Sequence, residues 1–294
     1  GPFADFTLTD QEMYELKIAA WLHDCGKVAT PEFVVDKSTK LETIYDRIHE
    51  VETRFSVLQR DKQIIKLKKE LSVERDDSLS TKQKNEKFKQ IRNEYQKSIR
   101  QLKKDLSFVK ESNIGGEFMS DDKKQRINEI SNYKWKPNGK IENFLSENEV
   151  YNLTIPRGTL TPEERQVIND HIVVTINMLD ELPYPKHLKN IPEFAGGHHE
   201  KLDGTGYPKG LTKHEMSIQA RIMAIADIFE ALTARDRPYK KGKTLSQAMR
   251  ILGFMKDDAH IDVDLFDIFV KKKIYMKYAK GFLEPEQIDE VTFK

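Results

Sequence analysis

The apolar positions of this chain fall into stripes three, four and seven residues apart, and strand-like alternation is scarce. That spacing gathers them on one face of a helix, so the whole chain is predicted to be α-helical. The first stripe, Tyr14, Ile18, Trp21, Leu22 and Cys25, predicts a buried helix ending near Gly26, and Thr30-Pro31 marks a turn or a new helix start. Beyond Leu41, Ile44, Ile48, Val51, Phe55, Leu58 and Ile65 recur among charged residues. After a polar stretch at 76–81, Phe88, Ile91, Tyr95, Ile99, Leu102, Leu106 and Val109 keep the same rhythm. Neither narrow stripe is stable alone in water, so the two are expected to zip into an antiparallel helical hairpin.

Residues 112–150 carry Gly115, Gly116, Pro137, Asn138 and Gly139 among polar neighbours and read as a connection with short helices. Thr161, Pro162 and Glu164 then supply an N-cap, a first-turn proline and a capping-box acid, so a helix starts there. A later helix is apolar at Ile218, Ile222, Ile225, Phe229 and Leu232, and a second face holds Ala220, Ala224, Ala231 and Asp227.

With 294 residues, 38% of them hydrophobic, the chain has room for one large core or two modest ones. Lys and Arg total 49 against 48 for Asp and Glu, a balance that gives no reason to expect a nucleic-acid duplex as partner. The single cysteine, Cys25, cannot close an internal disulfide, which fits a reducing cytosol. Its place on the apolar stripe favours a small core residue over a thiolate ligand. No apolar run approaches the roughly 18 residues of a membrane span, and no basic-then-apolar leader is present, so the expected location is cytoplasmic.

Chemistry concentrates in a few places. The stretch HHEKLDGTGYP at 198–208 joins two adjacent imidazoles and an acid to a glycine-rich turn. Adjacent histidines cannot both enter an apolar core without leaving ring nitrogens unpaired, whereas neutral imidazoles are the commonest ligands of transition metals. Within the turn, Asp203 is expected to tether the loop and Glu200 to orient an imidazole. Upstream, His23 and Asp24 end the first stripe. Lys27, one turn later, is placed to bind a phosphate oxygen or to pair with Asp24. Asp227 sits mid-helix, where an N-cap role fails; small neighbours leave room for a metal, and a salt bridge to arginine is the alternative. Beyond it Arg235, Arg237, Lys240 and Lys241 gather cations. His49, His187, His214 and His260 lie outside these clusters.

HDxGK at 23–27, HHExxDGxGYP at 198–208 and AIAD at 224–227 occur in this order, and with them the chain resembles an HD-GYP domain, a branch of the HD metal-dependent phosphohydrolases. The resemblance covers about residues 10–40 and 151–255. It implies an all-α HD-domain helical bundle from residues 1–43 and 151–294, interrupted by an inserted long hairpin and connection at 44–150. The isolated third histidine of the pattern falls on His171. The implied ligand set is then His23, Asp24, His171, His198, His199 and Asp227, enough for two transition-metal ions if Asp24 bridges them. Nitrogen and oxygen donors without thiolate suit iron or manganese, and a third ion is compatible.

The same resemblance implies hydrolysis of cyclic di-GMP to pGpG through a metal-bridging hydroxide, a product that family members often carry onward to GMP. Asp24 and Lys27 would be catalytic, with phosphate contacts at Lys27, Arg237 and Lys240. Some relatives prefer 3′,3′-cyclic GMP-AMP. A module that binds a cyclic dinucleotide without turnover is the rival from another class. Homodimers, diguanylate cyclases and sensor domains are the partners implied.

Overall fold

A computed structural model of the chain describes residues 2–235 and 242–292. Its helices run in the order α1 (Asp10–Leu22), α2 (Glu32–Val35), α3 (Ile48–Glu74), α4 (Thr81–Ile114), α5 (Asp121–Ser131), α6 (Glu147–Leu153), α7 (Pro162–Asn169), α8 (His171–Asp180), α9 (Ile191–Gly196), α10 (Ile218–Thr233), α11 (Leu245–Asp257), α12 (Val263–Lys271) and α13 (Ile274–Phe282). A two-residue antiparallel ribbon, β1 (Lys134–Trp135) with β2 (Glu142–Asn143), is the sheet structure among the described residues. The protein is all-α, as the apolar spacing predicts.

Local sequence places the helix starts. Thr9 with Glu12, Ser80 with Gln83, Ser146 with Glu149 and Thr161 with Glu164 each form a reciprocal capping box, satisfying backbone donors that the first turn leaves open. Helix α4 stops at Gly115, whose φ of 72° is left-handed backbone that a side chain disfavours.

The chain forms two compact units, residues 1–35 with 165–294, and residues 36–164. In the second unit α3 and α4 run antiparallel, with Glu52 paired to Lys110 and Glu70 to Arg92. Such exposed pairs contribute about 1 kcal/mol or less each. The stabilising burial lies at one end, where Val51, Phe55, Leu58, Leu102 and Val109 meet Ile127 and Ile130 of α5 together with Phe144, Leu145 and Leu153. Phe55 and Phe144 pack edge to face, centroids 4.6 Å apart. Residues 112–150 are therefore part of a core and more than a connection. Ile44 is 92% exposed ahead of α3, and Ile65 is also exposed. Periodicity reveals which residues share a face, but not how far along the helix an apolar partner extends.

That unit also encloses a charge pair. Both nitrogens of the Arg54 fork donate to Glu149, at 2.8 and 2.6 Å, and Glu149 is 2% exposed. Burial pushes the Glu149 carboxyl up, but Arg54 and the Ser146 cap outweigh it and hold the group below its usual range. Glu149→Gln is expected to cost about 3 to 5 kcal/mol near neutral pH by stranding the guanidinium. A lowered carboxyl contributes stability that is present above its unfolded value of about 4.5 and is lost as pH falls through the lower folded value. Denaturant unfolding of both proteins should show the gap between them narrowing below about pH 4. A gap independent of pH would contradict this account.

In the first unit α1 packs on α9, α8 packs on α9 and on the 3-10 turn Cys25–Ala29, and α10 is covered by α9 and α11. The inward positions of α1 are Glu15 and Ala19, while Tyr14 is 51% and Trp21 70% exposed, so the predicted stripe is displaced. Glu15 takes the core position because its carboxylate accepts the Asn190 backbone N–H at 2.7 Å and its Nδ2 at 3.2 Å, at the start of α9. Hydropathy alone assigns such a position to an apolar neighbour. Leu16, Ile18, Leu22 and Cys25 are partly buried against Ala19, Leu179, Ile191 and Phe194. Among the described residues no helix is long and apolar enough to cross a membrane.

Candidate metal centre

His23 caps the end of α1, and Asp24 leads into the 3-10 turn that lies on α8. This approach depends on Gly26. Its N–H donates to Thr175 Oγ1 at 2.9 Å, and a Cβ at this position would stand 2.1 Å from the His171 carbonyl oxygen and 2.5 Å from the Thr175 nitrogen. Because Gly26 has no side chain, Asp24 Oδ1 comes within 3.2 Å of His171 Nε2. His198 and His199 follow the end of α9. Asp227 reaches in from the middle of α10, where Ala220 and Ala224 are buried and its Oδ1 lies 3.4 Å from His23 Nε2.

Three of the imidazoles are held alike. Nδ1 of His23, His171 and His198 lies 2.7, 2.5 and 2.6 Å from the carbonyl oxygens of Ala20, Ile168 and Ala195, three residues back in each case. A carbonyl can only accept, so Nδ1 carries the proton and Nε2 of the neutral ring presents a lone pair. Those Nε2 atoms, with Asp24 Oδ1, are buried and have no hydrogen-bond partner of proper geometry among the described residues. Orphaned polar atoms are costly in a protein interior, and a cation beside them would satisfy these.

The donor atoms of Asp24, His171, His198 and His199 all lie within 4.8 Å of one another, as do those of His23, Asp24 and Asp227. Asp24 belongs to both groups. The electrostatics agree with a site built for positive charge. Burial works against a charged His23, yet Asp227 and Asp24 outweigh it and push its pKa up to about 10, so this ring would give up its Nε2 proton on taking a cation. Burial likewise opposes the Asp24 charge, but His171, His23 and Lys27 hold that carboxyl far below its usual range. Burial lowers His198, and burial with His198 alongside lowers His199 to about 3, so both rings stay neutral as ligation requires.

The glycine-rich loop does different work from that expected. The Glu200 carboxylate accepts the backbone N–H groups of Lys209 at 2.7 Å and Leu211 at 2.9 Å, so it pins the loop and orients no imidazole. Gly206 crosses so close that a Cβ would stand 2.5 Å from Glu200 Cα. The loop brings Tyr207 flat against His199, centroids 4.9 Å apart and 17° from parallel. Asp203 accepts from Thr205 N–H at 2.9 Å, the tether that the sequence suggests.

Beside the cluster opens a cleft of about 630 Å³ lined by His23, Asp24 and Lys27 and, towards and just past the end of α10, by Glu230, Ala231 and Ala234, together with Tyr278. Lys27 Nζ lies 2.6 Å from Asp24 Oδ2 while standing at the cleft wall, which accommodates both roles foreseen for it. Arg237 and Lys240, with Asp236, Tyr239 and Lys241, lie outside the described residues. Glu230, Tyr278 and Tyr207 were not anticipated as site residues. Glu230 carries a faint signal in its place three residues after Asp227, on the same helical face, and Tyr207 lies within the 198–208 motif; Tyr278 carries none.

The fold and site together define a helical protein whose buried imidazoles and carboxylates can coordinate metal at the edge of an open cleft. Residues 147–265 match the HD domain family, and the chain is related to the HD-GYP-type cyclic-dinucleotide phosphodiesterases. It is 38% identical over 107 residues to the 3′3′-cGAMP-specific phosphodiesterase 3 of Vibrio cholerae, covering 36% of this chain and 22% of that protein. It is 42% identical over 93 residues to a cyclic di-GMP phosphodiesterase of Thermotoga maritima, covering 32% and 25%. With a cyclic di-GMP phosphodiesterase of Pseudomonas aeruginosa the identity is 45% over 74 residues, covering 25% and 17%. The chain thus spans a quarter or less of the length of these curated relatives.

Proposed function

We propose that this chain is a metal-dependent phosphodiesterase that opens cyclic di-GMP to linear pGpG and carries it on to GMP. The observation supporting this most directly is the shared carboxylate, since Asp24 belongs to both groups of donor atoms. His171, His198 and His199 with Asp24 would hold one ion, and His23 and Asp227 with Asp24 a second. Iron or manganese suits nitrogen and oxygen donors of this kind. Bound there, the pair would supply a nucleophile from water at neutral pH and neutralise charge on the phosphodiester.

The chain's own residues do the positioning. The carbonyls of Ala20, Ile168 and Ala195 fix three imidazole tautomers, and Lys27, leaning on Asp24, can hold a non-bridging phosphate oxygen. In the reaction a bond forms between water oxygen and phosphorus, the bond from phosphorus to the 3′ oxygen breaks, and that oxygen takes up a proton. All six donors belong to the unit of residues 1–35 and 165–294. We read residues 36–164, with their long helix pair, as an insertion into the HD bundle that supplies no ligand. A preference for 3′,3′-cyclic GMP-AMP is the second reading, favoured by the likeness to the Vibrio cholerae enzyme of that specificity.

The test is single-turnover hydrolysis of both dinucleotides by protein loaded anaerobically with iron or manganese, with metal content measured on the same sample. Linear product that disappears on chelation and returns on reloading is the expected result, and the relative rates decide between the two substrates. Absence of product from fully loaded protein would overturn the reading.

A further inference from the structure

The long helix pair of the second unit uses one side of α3 and leaves the other bare. Towards α4, Lys69 pairs with Glu94 and Glu70 with Arg92, and Lys66 lies over the Tyr95 ring. On the opposite side Ile64, Leu67 and Leu71 are exposed, and Val57, two turns earlier, is partly covered. At 3.6 residues per turn these four fall on one line along the helix. Single exposed apolar residues are ordinary, but a line of this spacing is the seam of a coiled coil. Numbered as heptads, Val57, Ile64 and Leu71 take the a positions, and Arg60, Leu67 and Glu74 the d positions.

The charged groups beside this line are also without partners. The side chains of Arg60, Asp61, Lys68 and Glu74 make no hydrogen bond or ion pair with another described residue. Their order along the helix decides how a second copy would fit. In a parallel pair each seam residue meets itself, so Arg60 would face Arg60 and Glu74 would face Glu74, and like charges in a seam oppose association. In an antiparallel pair centred between Ile64 and Leu67, Ile64 of each copy meets Leu67 of the other in two apolar central layers. Arg60 then covers Leu71 and reaches towards Glu74, while Asp61 stands beside Lys68 on the flank, each contact being made twice by symmetry.

We propose that this outer face of α3 binds the same face of a second copy of the chain, in an antiparallel helix pair held by Ile64, Leu67 and Leu71 and aligned by the Asp61 to Lys68 and Arg60 to Glu74 contacts. This goes beyond the phosphodiesterase reading and does not rest on it, since none of these residues is among the six metal donors.

The seam from Val57 to Glu74 is about 27 Å long at 1.5 Å per residue. Two helices meeting over that length bury an area at or below the roughly 1,200 Å² where standard interfaces begin, so the dimer should be reversible and half-formed at about 10 to 100 µM. Within one chain Asp61 and Lys68 are about 10 Å apart along the helix axis, too far for a direct pair, so exchanging their charges acts between copies.

The experiment is analytical ultracentrifugation of the full chain over about 1 to 300 µM, a range that brackets the expected affinity. Wild-type protein should pass from monomer to dimer across it. Leu67→Glu places a charge in both central layers while altering only an exposed position, so it should stay monomeric throughout with unchanged helix content by circular dichroism. Asp61→Lys and Lys68→Asp should each weaken the dimer by about tenfold, because each turns two attractive contacts into two repulsive ones. The double variant should recover most of the wild-type affinity, an outcome that a parallel pair does not give, since there Asp61 and Lys68 never meet. The proposal falls if wild-type protein is monomeric at the highest concentration, if Leu67→Glu still dimerises, or if the double variant associates no better than the single ones. A dimer of this kind that hydrolyses no cyclic dinucleotide would count against the phosphodiesterase reading alone.

Discussion

Asp24→Asn should leave the protein folded but unable to hold its metal, with hydrolysis of cyclic dinucleotides down by about 1,000-fold or more. Asp24 lies in both groups of donor atoms, so this single change removes charge from both places at once. Asparagine keeps the size and one carbonyl oxygen but loses the negative charge and the second anionic oxygen that bridging requires. A metal pair stabilises the charge developing at the transition state by several kcal/mol, and about 4 kcal/mol corresponds to about 1,000-fold in rate. The measurements are metal content by elemental analysis, turnover on the same sample, and an unfolding curve to show that the fold persists. His49→Ala provides the comparison, since His49 is exposed and pairs with Glu52 far along the sequence from the donors, and both metal and rate should stay at wild-type levels. Full metal content with full activity in Asp24→Asn would remove the basis for the shared-carboxylate reading.

Gly26→Ala, a change of one methyl group, should be nearly as damaging, for a steric reason. The added carbon would stand 2.1 Å from the His171 carbonyl oxygen and 2.5 Å from the Thr175 nitrogen, and both are backbone atoms that cannot rotate away. Relief requires the turn Cys25–Ala29 to lift from α8, which breaks the hydrogen bond from Gly26 N–H to Thr175 and draws Asp24 away from His171. Overpacking costs about 1 to 3 kcal/mol in cores that can adjust, and this seat should cost at least the upper figure. Urea unfolding gives the stability loss, and metal titration under conditions where the variant is still folded gives the second effect, a loss of affinity of tenfold or more. A destabilised variant that binds metal normally would show that Gly26 serves packing alone and does not set the position of Asp24.

These two positions illustrate how unevenly the site can be read from the chain. His23, Asp24, His198 and His199 stand out because adjacent polar side chains at a helix end have few packing explanations, and the structure does bring them together with His171 and Asp227. His171 alone carries no such signal, since a single histidine on an apolar face is most often a core residue; only its order among the other motifs marked it. The three carbonyls that fix the imidazoles leave no trace in the sequence, because every residue has one. Glu200 was given the wrong partner for a related reason: its neighbour in sequence is an imidazole, but its carboxylate points to backbone N–H groups that the loop returns to it nine and eleven residues later.

For the fold, apolar spacing and capping residues together settle that the chain is helical and where most helices begin, because both are local properties of backbone geometry. They do not settle which face is inward when a buried polar group competes, as Glu15 does on α1. Nor do they reveal that Phe144, Ile127 and Ile130 complete a core with α3 and α4. The sequence by itself determined the helical class, the candidate donors and the type of metal chemistry they suit. Only the tertiary structure decided that Asp24 is shared, that Gly26 is what seats it, and that Tyr278 lines the same cleft as Lys27. Each of those depends on contacts between segments distant in sequence, and such contacts are set by the packing of whole elements, to which no local pattern gives access.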